Sequence, residues 1–255
     1  MDQAFRQAVR GGRRLLGGFI KFPSHQSVEL MARASQDFAI IDAEHAPFDL
    51  VTLDAMAMAA HGTRLPLLIR PPSADRASVG QLLDMGFSGM LAPHVDSPEA
   101  AGRLVDGVRY DHGHRGFSPS TRAAGYGAPD AVAYRQAADA GNSVWCMIED
   151  AAAIERIDAI AAIDDLDCLF LGRADLSLSL GALRQDDPKV VDAVRAVADA
   201  GRRHGRTVGI YIGSTDEVPA LGALGISVFM CGSDQSWIMA EGNRLRAGFE
   251  ATADG

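Results

Sequence analysis

The sequence predicts an α/β protein in which eight parallel strands, each followed by a helix, close into a (β/α)8 barrel. Apolar strand-like runs and amphipathic helix-like stretches alternate along the chain, and such alternation implies a parallel sheet. Eight units fit into 255 residues, and about 250 residues is typical of a closed barrel of this kind. We expect a single domain over residues 1–255, because no linker-like composition interrupts the pattern.

The predicted strands are short apolar runs bounded by glycine or polar residues. They begin near Leu15, Phe38, Leu65, Gly89, Val144, Asp167, Thr207 and Ser227. The connection between the fourth and fifth strands is unusually long and contains a stretch rich in glycine, serine and arginine at residues 110–127. Loops of this length are usually functional or mobile. We expect this one to lie over the C-terminal face of the barrel.

Helices are predicted where apolar residues recur at offsets of three and four, at residues 27–33, 50–60, 77–85 and 188–204. Asp75 and Ser97 are candidate N-caps, and Gly205 stands where a helix should end. The last helix, at residues 235–250, is also amphipathic. Its apolar face could close its own barrel or lie on a neighbouring subunit.

Composition and charge exclude several classes of protein. The net charge of −9 argues against nucleic acid or an anionic membrane as partner. No apolar run approaches the ~18 residues that span a bilayer, and no apolar segment follows the first arginines. We therefore expect a cytoplasmic protein. The three cysteines lie in apolar runs without metal-ligand spacing, as expected of buried free thiols.

The most informative pattern is that four predicted strands run into ionisable residues. One strand leads into Asp42 and His45, another ends at Arg70, and two more lead to Glu149 and Asp175. In a parallel barrel the C-terminal ends of the strands assemble the active site. The pattern therefore predicts an enzyme with these side chains at one rim.

Glu149 and Asp175 are the candidate metal ligands. Carboxylate oxygens with positions left open for water and substrate suit hard ions such as Mg²⁺ or Mn²⁺. The alternative is structural, because Asp150 and Asp175 could each cap the helix that follows.

His45 is the candidate acid or base, since an imidazole exchanges protons near neutral pH. Asp42 lies three residues earlier and could orient its ring. The alternatives are a loop histidine bonded to backbone, or His94, which follows the fourth strand at the same rim.

Arg70 offers a fork of donors for a carboxylate or an enolate oxygen, or else forms a structural ion pair. Gly172 would let the backbone approach a ligand, and the N–H groups that follow it could face an anion. The sequence contains no Walker A loop and no Gly-x-Gly-x-x-Gly after a strand, so ATP and dinucleotide use are unsupported.

Taken together, these residues resemble the HpcH/HpaI family of metal-dependent (class II) pyruvate aldolases, such as 4-hydroxy-2-oxoheptanedioate aldolase. The resemblance covers nearly the whole chain. It depends on seven short segments at residues 18–24 (GFIKFPS), 42–47 (DAEHAP), 68–70 (LIR), 90–93 (MLAP), 115–120 (RGFSPS), 147–149 (MIE) and 172–175 (GRAD).

The resemblance implies a modified TIM barrel whose C-terminal helix is swapped between subunits of a homohexamer. It implies reversible aldol cleavage of a 4-hydroxy-2-oxo acid to pyruvate and an aldehyde. Glu149 and Asp175 would bind the divalent ion (Mg²⁺, Mn²⁺ or Co²⁺), which would chelate the keto and carboxylate oxygens of the pyruvyl part.

The resemblance also assigns roles around that ion. Arg70 would steady the keto oxygen as it becomes an enolate, and His45, paired with Asp42, would take the C4 hydroxyl proton through a water. Gly172 would line the substrate site, and the N–H groups of Ala174 and Asp175 would hold the substrate carboxylate. Asp84 is expected to reach the site of a neighbouring subunit.

One departure from the family concerns Met147, which replaces a common glutamine in the substrate site and leaves the aldehyde specificity open. Three alternatives to the class II aldolase are a Schiff-base aldolase using Lys21, a citrate-lyase-β-like lyase acting on a CoA thioester, and a non-catalytic oxo-acid-binding barrel. A lysine near a strand end can become a nucleophile when it is desolvated. The chain has no obvious basic strip for the CoA phosphates.

Overall fold

The computed structural model describes residues 3–127 and 130–252 and contains a closed parallel barrel with its strands in chain order. Strand β1 pairs with both β2 and β8, which removes the sheet edges. The predicted (β/α)8 TIM barrel is confirmed, and each strand starts close to its predicted position. The strands are β1 Leu15–Ile20, β2 Phe38–Asp42, β3 Leu67–Arg70, β4 Gly89–Ala92, β5 Ser143–Ile148, β6 Cys168–Leu171, β7 Thr207–Ile212 and β8 Val228–Ser233.

Helices cover the outside of the barrel and one end of it. They are α1 Gln3–Arg10, α2 His25–Arg33, α3 Leu50–Thr63, α4 Arg76–Asp84, α5 Pro98–Val108, α6 Ala131–Gly141, α7 Ala151–Glu155, α8 Ile157–Ala161, α9 Arg173–Ser179, α10 Pro188–His204, α11 Val218–Ala223 and α12 Asp234–Ala251, with a short 3₁₀ helix at Thr215–Glu217. Asp75 caps α4 as predicted, accepting the N–H groups of Ala77 and Ser78. Gly205 ends α10 with a φ of 63°, a conformation that favours glycine. Ser97 stands at the N-cap of α5 without a capping hydrogen bond.

Every second strand residue points into the barrel, where an aromatic cluster fills the end at which the strands begin. Trp145 lies 5.3 Å from the ring of Phe38 and 6.1 Å from that of Phe170, measured between centroids. Phe5 and Val9 of α1 join the same buried cluster. Because this end is packed shut, a ligand can enter the barrel only from the end at which the strands finish.

The long connection at residues 109–127 does not cover that open end, so the expectation for it was wrong. The Arg115 guanidinium donates to Asp84 at the end of α4, at 2.8 Å. Each helix returns the chain to the start of the next strand, so the end of α4 lies on the N-terminal side of the barrel. Tyr110 meets Phe117 edge to face and packs near Tyr134 of α6, which holds the loop against the side of the molecule.

The C-terminal helix α12 has no buried residue in the single chain. Its contacts come from its first turns, where Asp234 accepts the N–H groups of Lys21 and Phe22. Four large apolar side chains remain exposed further along, Ile238, Met239, Leu245 and Phe249. Within the described residues, none of the helices combines the length and the apolar character needed to cross a membrane.

Candidate active site

The alternation of side chains along the strands brings the polar residues together. Phe19, Ile40, Leu68, Met147 and Phe170 all belong to the cluster inside the barrel. Side chains two positions apart in a strand point the same way, so the residue two positions after each of these also faces inward. These next inward residues are Lys21, Asp42, Arg70, Glu149 and Gly172. The same parity that packs the core therefore aims these five residues at the open end.

A cleft of about 340 Å³ lies at this end of the barrel. Its walls include most of the residues predicted to bind substrate, together with His45. These are His45, Arg70, Met147, Gly172, Ala174 and Asp175. The structure thus brings the predicted residues of four different strand ends into one cavity.

Asp42 is fully buried and is held by two cations. Its Oδ1 accepts Arg70 Nε at 3.0 Å and Arg70 Nη2 at 2.8 Å. Its Oδ2 lies 2.9 Å from Lys21 Nζ. Burial alone would raise the pKa of Asp42, but Arg70 and Lys21 outweigh burial and hold it below the ordinary value. Asp42 is therefore a permanent anion that fixes both side chains.

Arg70 is both a structural ion pair and a free donor, so the two alternatives coexist. Its Nε and Nη2 face Asp42, whereas the one hydrogen-bond contact of Nη1 among the described residues is the sulfur of Met147, at 3.4 Å. A thioether is a weak acceptor. Replacing it with a substrate oxygen would cost little, so Nη1 is the group of Arg70 that is available to a ligand.

Glu149 is a buried carboxylate with one unpaired oxygen. Its Oε1 accepts the backbone N–H of His94 at 2.8 Å, whereas Oε2 has no hydrogen-bond partner among the described residues. Burial raises the pKa of Glu149 above its ordinary value. A Cβ added at Gly172 would lie 2.8 Å from Oε2, so only glycine leaves room beside that oxygen.

A divalent cation fits this arrangement. It would satisfy the unpaired oxygen of Glu149, which lies beside Gly172 in the cleft wall, and Asp175 lines the cleft. Asp175 lies inside α9, whose N-cap is Gly172, so the capping alternative for Asp175 is wrong. In the described part of the chain no group of three or more potential metal-ligating side chains occurs. The remaining positions around an ion would come from water or substrate.

His45 lies at the rim with 53% of its side chain exposed. Its backbone N–H donates to Asp42 Oδ1 at 3.3 Å, while the nearest acid to its ring is Glu44, with Nε2 3.7 Å from Oε2. The structure therefore places Glu44, rather than Asp42, beside the imidazole. Glu44 also lies 3.3 Å from Arg70 Nε. Its position between two predicted site residues was the only sequence signal for it.

His94, the competing histidine, joins the same rim from the end of β4. Its Nδ1 lies 3.2 Å from Asp150 Oδ2, and its Nε2 lies 3.5 Å from Glu44 Oε1. Burial lowers the pKa of His94, but the bond to Asp150 and the nearby Glu149 and Glu44 charges raise it overall. Asp150 stands at the N-cap of α7 without a capping bond; its carboxylate faces His94 instead.

Two further predicted residues are Asp84 and Lys21. Asp84 is bonded to Arg115 at the other end of the barrel and does not line its own chain's cleft. Lys21 does line the cleft, where its Nζ lies 2.9 Å from Asp42 Oδ2. A Schiff base forms through this nitrogen, which would first have to leave Asp42, so the contact disfavours the Lys21 aldolase alternative.

Known proteins match nearly the whole chain. The HpcH/HpaI aldolase/citrate lyase family matches residues 15–239. A hydroxypyruvate/pyruvate aldolase of Deinococcus radiodurans is 34% identical over 98% of this chain and 91% of its own length. A 5-keto-4-deoxy-D-glucarate aldolase of an Enterobacter species is 32% identical, over 81% of this chain and 80% of its own. A solved HpcH/HpaI aldolase/citrate lyase family protein of Burkholderia cenocepacia has a TM-score of 0.92 at 29% identity, covering 98% of this chain and all of that one.

Proposed function

We propose that this chain, which belongs to the HpcH/HpaI aldolase/citrate lyase family, is a class II pyruvate aldolase. The reaction would be reversible cleavage of a 4-hydroxy-2-oxo acid to pyruvate and an aldehyde. The observation that carries the proposal is one cleft lined by Arg70, His45 and Asp175, with the unpaired oxygen of Glu149 beside Gly172 in its wall. The relatives named above are carbon–carbon lyases, and one of them is named for pyruvate and hydroxypyruvate.

Glu149 and Asp175 would hold the divalent ion, for which Mg²⁺, Mn²⁺ and Co²⁺ are the candidates. When bound, such an ion polarises a keto oxygen as a Lewis acid and neutralises charge that develops there. The two carboxylates would balance its double charge, so the filled site would be neutral before substrate arrives. Both oxygens of Glu149 would then be satisfied, one by the N–H of His94 and one by the ion.

Arg70 would bind the keto oxygen through Nη1, whose contact in this structure is the weakly accepting sulfur of Met147. Cleavage of the C3–C4 bond leaves an electron pair on C3, and delocalisation moves that charge to the keto oxygen as an enolate. A donor already aimed at the oxygen stabilises this charge without reorganisation. Asp42 would contribute by fixing Arg70 in place.

The substrate carboxylate would lie against the start of α9. The first N–H groups of a helix have no partner within the helix, and those of Ala174 and Asp175 are at this position. Gly172 precedes them, and its lack of a side chain keeps the approach open.

His45 would take the C4 hydroxyl proton, through a water, as the C3–C4 bond breaks. Its ring is exposed at the rim, with Nε2 3.7 Å from Glu44 Oε2. In the direction of synthesis the same proton would return to the aldehyde oxygen.

We also propose that the protein works as a homohexamer in which α12 packs on a neighbouring subunit. The support is that α12 buries none of its residues and exposes Leu245 and Phe249. Asp84, which lies away from its own cleft, would then contribute to a neighbour's site. Replacing Leu245 and Phe249 by aspartate should reduce the assembly to smaller species in sedimentation velocity. A monomeric wild-type protein would contradict this proposal.

Coupled measurement of pyruvate release from a 4-hydroxy-2-oxo acid, with added Mg²⁺, Mn²⁺ or Co²⁺, tests the proposed function. We expect release without coenzyme A, loss of activity in EDTA and recovery when the ion is restored. Activity only toward a CoA thioester would instead support the citrate-lyase-like alternative. Binding of pyruvate without any turnover would support a non-catalytic barrel. Because the chain has only two lysines, borohydride trapping would detect a Schiff base at Lys21 without ambiguity.

A further inference from the structure

We propose that Lys21 is a positioning residue that keeps the positive charge of Arg70 available to the enolate by neutralising Asp42. This inference rests on the proposed aldolase activity, because the enolate is its intermediate. The predicted roles in the site leave Lys21 without a function, although it lines the cleft and contacts a buried acid.

The two oxygens of Asp42 are divided between two cations. Oδ1 accepts two N–H groups of Arg70, and Oδ2 lies 2.9 Å from Lys21 Nζ. Asp42 is 0% exposed, so its oxygens are shielded from bulk water. Each cation therefore reaches a separate oxygen, and neither displaces the other.

The sum of charges around Arg70 shows what Lys21 contributes. Arg70 contacts two carboxylates, Asp42 at 2.8 Å and Glu44 at 3.3 Å. These three groups sum to −1, and an enolate formed beside Arg70 would meet net repulsion. Lys21 brings the four groups to zero. Charge interactions are strong among buried groups such as Asp42 and Arg70.

The main chain fixes Lys21 in this position. The residue continues the inward alternation of Phe19, whose ring lies under the Arg70 guanidinium at 4.9 Å. The backbone N–H groups of Lys21 and Phe22 each donate to a carboxylate oxygen of Asp234, both at 3.0 Å. The first residue of α12 thus holds the turn from which Lys21 reaches Asp42.

This role differs from that of a residue that binds substrate directly or only supports the fold. Lys21 would act on the charge that develops in the transition state, so its loss should lower kcat far more than it raises KM. A purely structural role would weaken binding and catalysis together and would change the thermal stability.

The test uses Lys21→Met, which removes the charge and keeps most of the side chain, and Lys21→Arg, which keeps the charge. Lys189→Met is the matched control, because Lys189 is the other lysine and is exposed on α10. Two quantities are measured on the metal-supplemented enzymes: deuterium exchange of the pyruvate methyl protons by NMR, and inhibition by oxalate, a planar analogue of the enolate. The exchange breaks a C3–H bond, releases the proton to solvent and leaves the electron pair in the enolate.

We expect Lys21→Met to slow exchange by roughly 10- to 100-fold and to weaken oxalate binding by a similar factor, with KM for pyruvate changed less than about threefold. Lys21→Arg should recover most of the rate, and Lys189→Met should match the wild type. Unchanged exchange in Lys21→Met, equal changes in kcat and KM, failure of Lys21→Arg to recover the rate, or a borohydride adduct on Lys21 would each overturn the inference. A wild-type protein with neither exchange nor cleavage would overturn the proposed aldolase, and this inference with it.

Discussion

Two buried carboxylates, one at each end of the barrel, differ in whether both of their oxygens are paired. At the end where the strands begin, Asp167 is fully buried and each of its oxygens accepts hydrogen bonds. Arg6 Nε lies 2.8 Å from its Oδ2, and the Val144 N–H donates to the same oxygen at 2.9 Å. At the end where the strands finish, Glu149 is also buried, but its Oε2 has no partner among the described residues.

This difference separates charges that stabilise the fold from charges that serve a ligand. Breaking a buried pair by removing one partner costs several kcal/mol, because it leaves the other charge uncompensated. A buried carboxylate without a partner already carries such a cost in the folded protein. Of these two carboxylates, Glu149 is the one that a bound cation would relieve. The comparison therefore predicts opposite effects of substitution at the two ends.

The largest effect is expected for Glu149→Gln, which keeps the shape and removes the charge. Turnover should fall at least about 1000-fold, because several kcal/mol of charge stabilisation would be lost with the ion. Calorimetric titration with Mn²⁺ should show the loss of metal binding directly. Glu155→Gln, at an exposed position on α7, is the control and should behave as the wild type.

The same variant should stabilise the metal-free protein at neutral pH by about 1–3 kcal/mol, the cost of an unsatisfied buried group. The pKa of Glu149 is raised in the folded state, so the charged form is penalised at pH values above that pKa. The gain from Glu149→Gln should therefore shrink as pH falls through the folded and then the unfolded pKa. Urea unfolding in EDTA from pH 8 to pH 4 measures this. A stability loss at pH 8 would contradict the comparison.

A smaller loss of activity is expected for His45→Gln, about 100- to 1000-fold in kcat, the usual contribution of a general base. Mn²⁺ affinity should stay near the wild-type value, because the nearest acid to the ring among the described residues is Glu44 and not Glu149 or Asp175. His61→Gln, exposed near the end of α3, is the control. If turnover survives in His45→Gln and fails in His94→Gln, the base is His94.

At the opposite end, Asp167→Asn should leave turnover of the folded protein unchanged and lower its free energy of unfolding by about 3 kcal/mol. The substitution leaves the Arg6 and Arg109 charges with only Asp165 as a carboxylate partner. Urea unfolding at pH 7 measures the loss. Asp158→Asn breaks a solvent-exposed pair with Arg203 and should change stability little. If Asp167→Asn lost activity while keeping the wild-type free energy of unfolding, Asp167 would serve the reaction rather than the fold, contrary to this prediction.

Much of the site could be predicted because it follows from local sequence. Strands ending in Asp42, Arg70 and Glu149 were found from short apolar runs, and the rule that parallel strands finish at one rim brought them together. The parity of side chains along a strand is equally local, and it would also have placed Lys21 in the cleft by counting two residues from Phe19. The sequence did not predict that Lys21 pairs with Asp42, because the pattern of a strand does not show which side chains of different strands are in contact.

The long loop shows where local reasoning failed. Its glycine, serine and arginine content indicated a functional connection, but composition does not say over which face of the barrel a loop lies. That was decided by contacts between distant residues, Arg115 with Asp84 and Arg122 with Asp54. The imidazole of His45 is similar, since rotation about its side-chain bonds places it by Glu44 rather than by Asp42.

The sequence by itself determined the order of strands and helices, the closed barrel and the set of ionisable residues at the strand ends. These features depend on the periodicity of apolar residues and on neighbours within a few positions, and both can be read from the sequence. Only the tertiary structure decided how those charges pair: that two cations share Asp42, that one oxygen of Glu149 is left without a partner, and that Asp84 faces away from its own cleft. Such pairings depend on distances between segments far apart in the chain, and those distances exist only once the barrel has closed.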